Sequence, residues 1–113
     1  MDPGYPSEKL STARRMLLLP HPTSEVTCIV HALHECSLGL RDVKAADIDK
    51  SLRASLRIVE QAMDTTGVAE EVPGKGTWAA KASKMTPEEK EMFANAVDDL
   101  ASYFNREFWS SRR

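Results

Sequence analysis

The stretch SEVTCIVHALHECSLG, residues 24–39, decides the fold, because it reads as one helix with two unlike faces. At about 100° per residue, Val26, Ile29, Val30, Leu33, Cys36 and Leu40 fall on one side, while Cys28, His31 and Glu35 fall roughly opposite. Thr23 or Ser24 caps the start, Glu25 sits near the positive end of the helix dipole, and Gly39 is the expected stop. The apolar side explains itself as core. The other side does not, since a helix surrounded by water has little use for Cys28, His31, His34 and Leu38 on its outer surface. Either a second layer of protein covers that face or the face does chemistry.

Upstream, residues 1–6 hold Pro3, Gly4 and Pro6 and are expected to form a disordered N-terminus. Ser7 is the expected N-cap of a first helix with Leu10, Ala13 and Leu17 on one face, ended by Pro20-His21-Pro22. Downstream, Arg41 and Asp42 lead to a third helix predicted from about Lys44 to Thr66. Its stripe is Ile48, Leu52, Leu56, Val59 and Met63, with Lys50, Arg53, Arg57 and Asp64 opposite and Gly67 as the stop. From Gly67 to Met85 periodicity is lost. Turn chemistry at Val72-Pro73-Gly74-Lys75-Gly76 marks a long loop, partly helical around Trp78–Lys84 or functionally employed. Thr86-Pro87-Glu88-Glu89 is a capping box that opens the last helix, whose stripe is Phe93, Val97, Leu100, Phe104 and Phe108.

Nothing alternates with period two over strand length, and there is no internal repeat. The pattern predicts an all-α fold: a small antiparallel four-helix bundle with a long loop before the last helix, and a single helical domain spanning residues 7–110.

A chain of 113 residues buries roughly 65% of its unfolded surface, enough to fold without staples. Its 15 Lys and Arg nearly balance 17 Asp and Glu, which argues against a general field for nucleic acid or an anionic membrane. The apolar run Met16–Leu19 is far short of the roughly 20 residues a membrane span requires. Cys28 and Cys36, eight apart on one helix, are about 12 Å apart at 1.5 Å per residue, beyond the roughly 7 Å reach of a disulfide. Two unpaired thiols and no secretory leader point to a reducing compartment, most simply the cytoplasm.

Cys28, His31 and Glu35 have i, i+3, i+7 spacing, which would line three metal-ligand types along one helical face. No CxxC pair or His-Glu-x-x-His helix joins them, and no motif calls for a cofactor or metal. Around His31, the segment Val30-His31-Ala32-Leu33-His34-Glu35-Cys36-Ser37 resembles the phosphorylated-histidine segment of histidine-phosphotransfer domains through His31, Leu33 and Ser37. His34 stands where that family carries lysine and Glu35 where it carries glycine. The resemblance implies a helical bundle with His31 as the phosphate carrier. Gly74-Lys75-Gly76-Thr77 lacks the glycine and the hydroxyl residue of a phosphate loop and reads as a turn. Lys50, Arg53 and Arg57 are interrupted by Asp49, Glu60 and Asp64, as on a solvated face laced with pairs such as Asp49 with Arg53.

Trp78 and Trp109 are a different clue, since each can bury on the order of 200 Å² and the helical stripes already fill one core. Trp78 either closes one end of the bundle or joins a surface. Leu38, Trp78, Tyr103 and Trp109, with Phe108 and Met92, are the candidate interface residues, being aromatic or apolar and largely off the stripes. The sequence therefore points to a small intracellular helical protein that works through protein contacts, most simply as a homodimer. The competing class is phosphotransfer or metal chemistry centred on His31.

Overall fold

Thr86, Pro87 and Glu89 open the longest helix as their spacing predicts. The Thr86 hydroxyl accepts the Glu89 N–H at 3.1 Å, and the Glu89 carboxylate accepts the Thr86 N–H at 3.0 Å. Hydrogen bonds from Thr86 to the Glu89 carboxylate, the backbone N–H foremost and the side chain next, hold that carboxyl below its ordinary pKa. The computed structural model describes residues 2–18, 24–70, 74 and 76–111. Among them are five α-helices: α1 (Gly4–Leu18), α2 (Glu25–Gly39), α3 (Arg53–Met63), α4 (Thr77–Ser83) and α5 (Pro87–Ser110). Single 3₁₀ turns stand at Ala45–Asp47 and Lys50–Leu52, and no strand occurs among the described residues.

The expected stripes meet in one buried cluster that includes Leu10, Leu33, Cys36, Val59, Phe93 and Phe104. Within it, α1 lies between α2 and α5. The start of α1 rests on the end of α5, where the Ser7 and Ser11 hydroxyls both donate to Asn105 Oδ1; further along, Arg14 pairs with Asp98 at 3.3 Å. The other side of α1 carries the end of α2, with Lys9 Nζ 3.6 Å from the Glu35 carboxylate. Lys90 of α5 pairs with Glu25 at the start of α2, and Ser55 of α3 donates to Asp99 of α5 at 3.2 Å.

α4 holds α3 by its open end. The last carbonyls of a helix have no intrahelical donor and carry the negative end of the dipole, so a cation there is doubly favourable. Lys81 Nζ donates to the carbonyls of Gln61 at 2.9 Å and Asp64 at 2.6 Å, and the Trp78 indole N–H donates to the Met63 carbonyl at 3.0 Å.

Three boundaries differ from the sequence reading. α1 begins at Gly4 rather than Ser7: the Asp2 carboxylate accepts the Gly4 N–H at 2.9 Å, and Pro6 falls in the first turn, where a missing N–H costs nothing. Ser7 is buried against Asn105 instead of capping. The helix expected from Lys44 to Thr66 is confined to Arg53–Met63, because Ile48 is extended, Asp49 with ψ 143° is also outside the helical region, and the Asp47 carboxylate takes the Lys44 N–H at 2.9 Å. Arg53 donates to the Ala45 carbonyl at 2.9 Å across that break, rather than simply lacing the helix surface. Gly67, with φ +78°, turns the chain beyond the true helix end at Met63. The loop before α5 is partly helical, as α4. The Pro20-His21-Pro22 break, Thr23 and Lys75 lie outside the described residues.

Phe104 has no exposed surface and sits at the centre of the cluster. Phe104→Ala is expected to cost about 3–5 kcal/mol, read as a lowered urea midpoint. An unchanged midpoint would place the core elsewhere.

Candidate functional site

The polar side of α2 does not converge into one site. Ser24 caps the helix by accepting the Thr27 N–H at 3.1 Å, which fixes the phase of every side chain after it. In that phase Cys28, Glu35 and Gly39 share a flank, and α1 covers it: Lys9 meets both Glu35 and Gly39. Cys28 is consequently 3% exposed, Glu35 is half-buried, and His31 is left open to solvent. Cys28, His31 and Glu35, read from the sequence as a candidate polar, phosphate or metal face, thus differ in exposure, and no group of three His, Cys, Asp or Glu among the described residues could hold a metal ion. α1 covers one side of this face, and on the other lies α4, whose Trp78 ring meets His34 edge-on at 6.5 Å.

Cys36 lies in the core, and burial, reinforced by the neighbouring Glu35 charge, pushes its thiol up to about 12. In the glycine turn the Gly76 N–H is taken by the Glu70 carboxylate at 2.9 Å.

The candidate interface residues divide. Trp78 is half-buried and bonded to α3, so it works as an internal clasp. Tyr103 is 5% exposed, packed edge-on against Phe104 at 5.3 Å, and belongs to the core rather than to a free surface. Its phenol is raised above the ordinary value by burial, then by the charges of Glu107 and Asp49, while an Asp49 backbone hydrogen bond opposes them. Reading residues 44–66 as one helix hid this, because it is the extended break at Ile48–Asp49 that lies over the Tyr103 flank of α5.

Trp109 remains outward, 68% exposed, its ring edge-on to Phe108 at 5.4 Å. Phe108 is half-buried and stands close to the start of α1, where a Cβ on Gly4 would meet its ring at 3.4 Å. At the same end of the molecule opens a groove of about 670 Å³ between the start of α1, the end of α2 and the connection that follows. Its apolar walls are Tyr5, Pro6, Leu38 and Val43, and charged Asp2, Arg41, Asp42, Lys44 and Asp47 surround them. The sequence reading found Leu38 but not the groove, since two of the three walls were expected to be disordered or helical. The aromatic residues Tyr5, Phe108 and Trp109, with Leu38, therefore gather at one end. Met92, 52% exposed, lies elsewhere on α5, beside Phe93 and Met85.

No family model, curated protein or solved structure matches the chain.

Both thiols are in the folded core, so neither is expected to react with a thiol reagent at pH 8 until denaturant opens the protein. Mapping the adducts by mass spectrometry checks this; rapid native modification of Cys28 would show that α1 does not cover its flank.

Proposed function

We propose that this chain is a protein-contact module that associates with a second copy of itself through the aromatic end of the molecule, with Trp109 at the centre. The observation that carries the reading is the outward Trp109, 68% exposed yet held against Phe108. An indole in water leaves on the order of 200 Å² of mostly apolar surface unused, and tryptophan is among the residues that dominate interface energetics. A formal charge of -2 sets up little repulsion between copies. Most homo-oligomers close about a two-fold axis, so a patch at one end of an elongated chain meets its own copy there. In this reading the four longer helices are an antiparallel bundle, α4 braces it from outside, and the protein works in a reducing compartment where Cys28 and Cys36 stay as thiols.

Light scattering on the purified protein tests it. The wild type is expected at twice the chain mass, with an interface near the usual ~800 Å² per partner, and Trp109→Asp at one chain mass with unchanged helical circular dichroism. A wild type that is monomeric at high micromolar concentration would overturn the reading.

A second reading, phosphate carriage on His31, is favoured by one observation: the imidazole is exposed at mid-helix, where a partner could reach it. Incubation with phosphoramidate is then expected to add one phosphate to the native chain and none to His31→Gln. Equal labelling of both would remove it.

A further inference from the structure

We infer that the groove between the start of α1 and the end of α2 receives Trp109 of a second copy, so that the dimer is built from two reciprocal indole-in-groove contacts. The inference rests on the self-association proposed above and names its geometry.

The groove is shaped for such an occupant. At about 670 Å³ it lies within the roughly 300–1,000 Å³ range of sites that enclose compact organic groups. Its walls are a tyrosine ring, a proline ring, Leu38 and Val43, with Gly39 beside them. Its own Trp109 does not fill it, being 68% exposed.

Groove and indole also occupy the same end, as reciprocal exchange about one axis requires. Gly4 stands against Phe108, and Asp47 borders both this groove and the smaller hollow that Glu107 and Ser111 line at the end of α5.

The charges agree with a second copy as occupant. Arg41 and Asp42 at the groove mouth are exposed and make no hydrogen bond or ion pair among the described residues. Arg106 and Glu107, just before Trp109, are exposed too. A Trp109 seated in the partner's groove brings an Arg-Glu pair to an Arg-Asp pair, so each cation can face a carboxylate.

Mixing two damaged chains tests this. Trp109→Asp lacks the indole and keeps the groove; Leu38→Glu lacks the groove and keeps the indole. Each alone is expected to be monomeric in sedimentation. The equimolar mixture is expected to recover a heterodimer, since one intact indole meets one intact groove, with a dissociation constant at least tenfold above that of the wild-type dimer. If Leu38→Glu fails to fold, Tyr5→Glu replaces it, as Tyr5 is 45% exposed and its loss leaves the core untouched. A wild-type monomer would overturn the self-association reading and this inference with it. A wild-type dimer that survives the groove substitution, leaving the groove free for another occupant, would overturn the inference alone. So would two monomeric variants that do not complement, the result for an interface in which the two Trp109 rings face each other.

Discussion

The close approach of α1 to α2 at Gly39 is the constraint on which the remaining architecture depends. A Cβ at that position would stand 2.7 Å from Lys9 Cβ and 2.9 Å from Leu10 Cδ2, distances that packed side chains do not adopt. Only an absent side chain lets the two backbones come this near. Because they do, Leu10 is fully buried, the Glu35 carboxylate reaches Lys9, and Cys28 is covered. Gly39 also lines the groove, together with Leu38 and the turn that carries Arg41 and Asp42.

From that crossing the other contacts follow by division of surface. α1 gives one flank to α2 and another to α5, where Asn105 collects two serine hydroxyls; α5 gives its far flank to α3 through Ser55 and Asp99. α3 is short and begins without a side-chain cap, and besides its buried Leu56 and Val59 it is held at its other end. There Lys81 and Trp78 of α4 supply the donors its last carbonyls lack. The seven-residue α4, too short to persist alone, is in turn stabilised by what it satisfies. The end of α5 is the place where this mutual covering stops, and there Trp109 is left facing water.

Much of this was legible in the chain because it is local. The Thr86–Glu89 box, Ser24 as a cap, and the stripes from Leu10 to Phe104 each depend on spacing alone, and spacing is what a sequence displays. What was not legible had two sources: short-range carboxylate bonds that compete with the helical pattern, and partners distant in the chain. Asp2 outweighed two prolines in starting α1, and Asp47 interrupted a stripe that otherwise continued through Ile48. Tyr103 and Cys28 look like outer-face residues on a helical wheel, yet each is covered by an element from another part of the fold. The interface residues divided for the same reason: phase alone does not distinguish a residue facing a neighbouring helix from one facing solvent. Trp109 stayed outward because no further helix of the described chain comes over it.

Gly39→Ala gives the most direct measurement of the account, because its two possible results differ in sign. Gly39 has no positive φ and ends a regular helix, so where space is open alanine would raise stability by up to about 1 kcal/mol. With α1 seated as described, the new methyl group meets Lys9 Cβ, which cannot swing away as the tip of a long side chain can. The urea midpoint of Gly39→Ala is therefore expected to fall below that of the wild type, the loss of stability being the ~1–3 kcal/mol typical of overpacking. A midpoint equal to or above the wild-type value would contradict the crossing, and with it the groove and the covering of α2.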